Sequence, residues 1–297
     1  MNLSYEFFPP RQAGQERRLW HTVGCLDTQN PGYYSMTYGA LGTDAEISFQ
    51  MIEQLHEATQ TPIAAHLTCF GQTRDTVIER LKRLRTLGVS HIVALRGDRP
   101  KQTVTTDTGL KDEAKIRRAD NADELQHASE LVELISEFGG FEVSVAAYPD
   151  VHPEASSASD DLIHLKNKLD AGAKRAITQF FYDTDRFLRF RDKAAAEGIT
   201  DLVPGILPVH DIDNVTRFAE RCGAVVPKDL IDKFKDSTLK PGESHKLAIE
   251  HGYELCRTLQ EEGISDFHFY TLNQSDLSYE ITRHLNGTAR VADTLAA

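Results

Sequence analysis

No stretch of the chain stays apolar long enough to span a bilayer, and no lysine and arginine block is long enough to track a phosphate backbone. A net charge of −12 over 297 residues also opposes nonspecific attraction to nucleic acid or an anionic membrane, so small molecules are the expected partners. Only four cysteines occur, Cys25, Cys69, Cys222 and Cys256, and none belongs to a CxxC pair. A metal knuckle, a redox dithiol and a disulfide framework are therefore disfavoured, and a reducing, cytoplasmic compartment is expected. No two glycines stand two apart, which removes GxGxxG, and no GxxxxGK, GxSxG, HxH or HExxH pattern is present. Nothing in the sequence asks for a metal. Proton transfer and cofactor chemistry remain.

The start of the chain is its most informative part. Ser4-Tyr5-Glu6-Phe7-Phe8-Pro9-Pro10 sets one carboxylate inside a short aromatic strand that two prolines then stop. Alternation puts Ser4, Glu6 and Phe8 on one face and Tyr5 and Phe7 on the other. Glu6 is expected at the strand's carboxyl end in an apolar setting, where burial favours the neutral, proton-donating form. The competing reading is a glutamate that faces solvent or pairs with an arginine. Because Glu6 lies six residues from the start, no cleavable targeting peptide is expected ahead of it.

Along the chain, short β-rich runs alternate with helical patterns. The strands are expected at Leu3 to Phe8, Tyr33 to Tyr38, Ile63 to Thr68, His91 to Arg96, Glu142 to Tyr148, Arg175 to Phe181, Leu202 to Leu207 and Asp266 to Leu272. Helical spacing of apolar residues marks Asp44 to Ala58, Thr73 to Leu87, Ala122 to Phe138, Ala158 to Ala171, Asp185 to Glu197 and Ile212 to Cys222. This alternation over a chain of this length fits a (β/α)8 barrel, an α/β TIM barrel, as one catalytic domain over residues 1–297. Pro227 to Gly263 reads as an extra helical hairpin before the last strand. Arg99 to Asn121 is hydrophilic and aperiodic, too long for an ordinary connection, and reads as a flexible loop or lid.

In such a barrel, active sites lie at the carboxyl ends of the strands. Those ends carry Glu6, Thr37 with Tyr38, His66, Arg96-Gly97-Asp98, Tyr148 with His152 and Glu154, Gln179, and Tyr270-Thr271-Leu272-Asn273. One polar residue at a strand end is usually a cap or a turn former. Seven such ends together point to a site.

These blocks occur in order with Thr37-Tyr38-Gly39-Ala40, His66-Leu67-Thr68-Cys69, Ala94-Leu95-Arg96-Gly97-Asp98, Ala146-Ala147-Tyr148-Pro149, Thr178-Gln179-Phe180-Phe181, Pro204-Gly205-Ile206-Leu207-Pro208 and Phe267-His268-Phe269-Tyr270. In that order they make nearly the whole chain resemble bacterial methylenetetrahydrofolate reductase. The resemblance implies noncovalent FAD, reduction by NADH, and hydride delivery to 5,10-methylenetetrahydrofolate, with the two substrates taking turns. It implies that Glu6 is the general acid to folate N10, and that Asp98 stabilises the cationic iminium near the flavin. The flavin positions it implies are Thr37, Tyr38, Ala40, His66, Arg96, Gly97, Asp98, His127, Ala128, Tyr148, His152, Asp161, His164 and Lys168. For substrate it implies Glu6, Thr37, Asp98, Gln179, Asn214, Phe218, Tyr270 and Gln274. Relatives form oligomers, which suggests a homo-oligomer.

Four positions depart from the family pattern: His127 replaces a frequent tyrosine, His164 an asparagine, Asn214 a glutamine and Gln274 an arginine. An arginine at 274 could pair with a carboxylate of the folate tail, and a neutral amide forfeits that bond. Arg99 to Asn121 is also longer than in the relatives. Two other readings stand beside the reductase. One is a folate-binding barrel that carries its ligand without redox chemistry, and the other is a different FAD barrel dehydrogenase.

Overall fold

The computed structural model describes residues 1–38, 45–97, 104–105, 111–112, 123–240 and 242–287. Strand β1 (Asn2–Phe7) buries Leu3, Tyr5 and Phe7 against the surrounding helices and leaves Ser4 and Glu6 on the face that lines the ring. The chain continues through α1 (Ala13–Asp27), β2 (Tyr33–Met36), α2 (Ala45–Ala58), β3 (Ile63–Thr68), α3 (Arg74–Thr86) and β4 (His91–Leu95). A two-residue antiparallel pair follows, β5 (Val104–Thr105) with β6 (Lys111–Asp112). Then come α4 (Ala128–Phe138), β7 (Glu142–Ala147), α5 (Ala158–Asp170), β8 (Arg175–Thr178), α6 (Thr184–Ala196), β9 (Leu202–Val203) and β10 (Gly205–Ile206). The last elements are α7 (Ile212–Cys222), α8 (Lys228–Phe234), α9 (Glu243–Glu261), β11 (Asp266–Tyr270) and α10 (Asp276–Leu285).

The large sheet is parallel, in the order β10-β11-β1-β2-β3-β4-β7-β8-β9. Its two edges, β9 and β10, are halves of one strand interrupted at Pro204, so the sheet closes on itself as the expected (β/α)8 barrel. Proline cannot donate to a ladder. Here its carbonyl still accepts His268 N at 3.0 Å, and Gly205 N turns to the Thr178 hydroxyl at 3.0 Å, so the break leaves neither group unpaired. The expected hairpin before the last strand is α8 with α9.

Several elements differ from expectation, among them α4, which begins at Ala128 rather than Ala122, and α10, which the helical pattern did not mark. Helix α1 falls in a segment with no strong helical signal, because Gly14 and Gly24 weaken it and its buried stripe is only Leu19, Thr22, Val23 and Leu26. Strands β1, β2, β4, β7, β8, β10 and β11 end one to three residues before the expected limits, because their carboxyl ends leave the ladder where the mouth opens. Within Arg99 to Asn121 the short β5 and β6 pair, while the rest of that expected lid lies outside the described residues.

The interior of the ring is divided. Ala64, Val93, Ile177 and Val203 form an apolar cluster inside it, whereas β1, β2 and β11 contribute Ser4, Glu6, Tyr33, Ser35, His268 and Tyr270 at paired positions. A further apolar cluster of Phe180, Tyr182, Leu207, Ile212, Val215 and Leu230 seats α7 and α8 beside the mouth.

The turn after β11 fixes the end of β1. Leu272 and Asn273 take left-handed backbone angles, φ 50° and 55°, a conformation that asparagine accepts readily. Asn273 then donates Nδ2 to Phe8 O at 2.8 Å and accepts Phe8 N at 3.1 Å, while Thr271 Oγ1 donates to Glu6 O at 2.6 Å. An amide side chain thus pairs with strand backbone where the sheet ends. Replacing Asn273 by alanine removes both bonds from a buried position, and a stability loss of about 2 kcal/mol is expected. Urea unfolding checks this, and an unchanged midpoint would show that the staple contributes nothing.

Candidate active site

Glu6 is the last interior residue of β1, paired in register with Ser35 of β2 and Tyr270 of β11. Its side chain is 21% exposed, and its Oε2 lies 3.4 Å from His66 Nε2 and 3.6 Å from His268 Nε2. The expectation of an apolar setting is therefore corrected. Alternation selects the face a side chain occupies, but β3 and β11 decide what else occupies that face, and both bring histidine. The competing arginine pair is not found among the described residues, nor is Glu6 turned to open solvent.

Burial pushes the His66 imidazole below its ordinary range, opposed by the Glu6 carboxylate and reinforced by His268. His66 is therefore favoured as a neutral ring. Tyr270 lies edge-on to His268 with centroids 5.3 Å apart, and its hydroxyl donates to Thr178 O at 2.8 Å. Only glycine fits beneath that ring, since a Cβ on Gly205 would stand 2.1 Å from Thr178 O and 2.5 Å from Tyr270 Cε2.

A second group of expected residues assembles where β4, β7 and α5 meet. Arg96 Nη1 donates to Glu154 at 2.5 Å, Glu154 N donates to His152 Nδ1 at 3.0 Å, and His152 N donates to Asp161 Oδ2 at 2.9 Å. Tyr148 meets the His152 ring edge-on at 4.6 Å. Lys168 and Asp161 could have formed a solvated helix face. Instead Lys168 Nζ turns inward and donates to Ala146 O at 2.5 Å. Burial pushes its ammonium down to about 8 against the attraction of Asp161.

Thr37 follows β2, and its buried Oγ1 finds no hydrogen-bond partner among the described residues. The Tyr38 ring lies beneath the Arg80 guanidinium at 5.1 Å. Gly97 has φ +87°, and a Cβ there would meet Thr68 Cβ at 3.0 Å, so glycine keeps this strand end open. Gln179 accepts Phe180 N at 3.1 Å through its own Oε1, and Phe218 of α7 stacks on Phe180 with centroids 5.5 Å apart.

Other expected residues stand farther out. His127 precedes Ala128 at the start of α4, exposed, with its N donating to Glu130 Oε2 at 3.2 Å. His164 is 63% exposed on α5 beside Asp160, and Asn214 is exposed on the first turn of α7, accepting from Arg217. Gln274 is half-buried next to the Asn273 staple. Ala40 and Asp98 lie outside the described residues.

Ser4 and His268, which the sequence reading gave no role in the site, stand behind Glu6, while Thr271 and Asn273, expected at the mouth, hold the β1 backbone there. Ser4 Oγ lies 2.7 Å from His268 Nδ1, behind the acid. The available signal was alternation, which places Ser4 two residues before Glu6 and His268 two residues before Tyr270 on the same faces.

Together these features supply a carboxyl group beside imidazoles, suited to moving a proton, and a cationic wall suited to an anionic ligand. Lys168 also makes stability depend on pH. Its folded value, about 8, lies below the 10.5 of an ordinary lysine, so the unfolded chain holds the proton more tightly between these values. Its stabilising contribution is complete above the unfolded value and is lost as pH falls through the folded one. Without ligand, wild type should gain stability relative to Lys168→Met between pH 8 and 10, measured by urea unfolding. Parallel curves for the two proteins would contradict the desolvated lysine.

The family model for methylenetetrahydrofolate reductase matches residues 1–286. The chain is 40% identical over 293 residues to the 5,10-methylenetetrahydrofolate reductase of Pectobacterium carotovorum, covering 98% of this chain and 92% of that protein. It is 38% identical over 287 residues to the enzyme of that name from Escherichia coli K12, covering 96% and 90% of the two. Among solved structures, a Clostridium thermocellum protein described as binding two copies of 5-methyl-5,6,7,8-tetrahydrofolic acid shares the fold. Its TM-score is 0.64 at 14% identity, over 97% of this chain and 96% of that one.

Proposed function

The chain belongs to the methylenetetrahydrofolate reductase family, and on that premise we propose that it reduces 5,10-methylenetetrahydrofolate to 5-methyltetrahydrofolate with NADH through noncovalent FAD, the two substrates binding in turn. The observation that carries this reading is Glu6, held at the barrel mouth by the β11 turn and flanked by His66 and His268.

The residues present fit a flavin dinucleotide. Lys168 and Arg96 offer positive charge to a pyrophosphate, with Arg96 shared from its existing pair with half-exposed Glu154. Thr37 brings a buried hydroxyl with no partner among the described residues, and Gly97 lets backbone approach a ligand. Bound there, FAD supplies the hydride relay between NADH and the folate.

The chain's own chemistry is the proton. A neutral Glu6 carboxyl donates to N10 of the folate, and the bond from N10 to the bridging carbon breaks with its electron pair going to N10. The carbon left on N5 is then an iminium that accepts hydride. Asp98, outside the described residues, takes in this proposal the role implied by its family position, a negative charge that stabilises the cation. Tyr270 and Phe218 stand at the mouth beside Gln179 as ring and amide surfaces for the alternating substrates.

Anaerobic stopped-flow separates the two halves. The purified protein should be yellow, bleach with NADH and recover its colour with methylenetetrahydrofolate. Glu6→Gln should keep FAD and the NADH half-reaction within about twofold, and slow the folate half-reaction by about 10²- to 10⁴-fold. Equal loss in both halves would contradict the role of Glu6, and folate binding without NADH oxidation by wild type would favour a carrier.

A further inference from the structure

Between β7 and α5 the chain makes a turn that its own residues do not favour. Val151 has φ +70°, in the left-handed region, where a β-branched side chain crowds the backbone. The other non-glycine residues with positive φ among those described are Asn30, Leu272 and Asn273, and none of them is β-branched. Such an angle persists only where the surroundings hold it. Within the turn, Val151 N donates to Tyr148 O at 3.2 Å and Ala155 N to His152 O at 2.9 Å.

The remaining hold comes from Asp150. Its side chain is only 6% exposed, although it sits in a connection at the mouth. Oδ1 accepts Arg186 Nη1 from the first turn of α6, and Oδ2 accepts Val225 N at 3.1 Å from the segment that follows α7. Arg186 is oriented in turn by Asp183, the N-cap of α6, whose Oδ2 lies 3.8 Å from Nε. Gly223, which ends α7 at φ +75°, presses on the same turn: a Cβ there would stand 2.6 Å from Pro153 Cγ and 3.5 Å from Val151 O. Two neighbouring helices therefore brace the residue before Val151 and the residues after it.

The strained angle sets the direction of the chain into His152. With Val151 left-handed, His152 N reaches Asp161 Oδ2 and the His152 ring meets Tyr148 edge-on. A rotation about φ of Val151 to the extended region would carry His152 away from both. We propose that Asp150 is a positioning residue for the flavin: its bridge from Arg186 to Val225 holds Val151 in the left-handed angle that places His152 beside Tyr148 and Asp161. This rests on the reductase reading and assigns what keeps its cofactor turn in shape. Asp150 touches no reacting atom. It keeps the turn ordered, so that FAD does not have to order it on binding.

Paired substitutions test this, because glycine accepts φ +70° without strain. Asp150→Ala removes both bonds, and the FAD dissociation constant, read from flavin fluorescence as the holoenzyme is diluted, should rise about tenfold to a hundredfold. Adding Val151→Gly to Asp150→Ala should recover most of that loss. A carboxylate that merely stabilised the fold would not be rescued by glycine, which adds no contact and loosens the unfolded chain. An unchanged constant in Asp150→Ala, or a double variant as weak as the single one, would overturn the proposal. Arg186→Met, at a position 40% exposed, repeats the comparison if Asp150→Ala fails to fold. Amide exchange on the full chain without FAD gives a second reading. Peptides covering residues 148–155 should exchange at least about tenfold faster in Asp150→Ala and slow again when Val151→Gly is added. Equal exchange there in wild type and Asp150→Ala would overturn the proposal. Wild type that binds no FAD would instead refute the reductase reading, and the exchange would still decide the role of Asp150.

Discussion

A carboxyl group can work at the rim of a barrel only if the strand that carries it cannot slip, because a shift of one residue would turn Glu6 outward and Phe7 inward. The turn after β11 prevents that shift. Thr271 holds the carbonyl of Glu6 itself, and Asn273 pairs with both backbone groups of Phe8. The turn is anchored in turn by α1, where Thr22 Oγ1 donates to Asn273 O at 3.0 Å. Register, acid and mouth are thereby set by the same few bonds between the two ends of the sequence.

The divided interior follows from the same closure. One side of the ring is filled by small and branched apolar residues, which can be buried without partners. The other side holds polar groups whose burial is costly unless they bond to one another. Ser4 meets His268, His91 Nε2 meets Ser144 Oγ at 2.7 Å, and Tyr33 packs against both histidine rings. The polar side leads up to Glu6, and the cationic arm of Arg96 and Lys168 stands across the mouth. In the proposed function, proton chemistry and anion binding are separated within one opening.

Much of the fold was legible because aromatic and branched runs alternate with helical patterns, and because Pro9 and Pro10 mark a strand end. The strands' carboxyl limits were not, since Phe8, Tyr38 and Gln179 keep strand-like side chains after their backbone leaves the ladder. Helix α1 hid behind two glycines and a thin apolar stripe. Within the candidate site, Glu6, His66, Arg96 and His152 were named from their places at strand ends, and Lys168 only through the family resemblance. His268 was not, because between Phe267 and Phe269 it looks like core, and its polar partner Ser4 lies 264 residues away in the sequence. The polar surroundings of Glu6 escaped for the same reason, since no local pattern reveals what distant strands contribute to a shared face.

Infrared difference spectroscopy on the folate half-reaction measures the central claim most directly, because it sees the acid's own proton. The carbonyl stretch of a protonated carboxylic acid should disappear as methylenetetrahydrofolate is reduced, and Glu6→Gln should lack that band. A difference spectrum with no such band in wild type, or with the same band in the variant, would contradict a proton donated by Glu6.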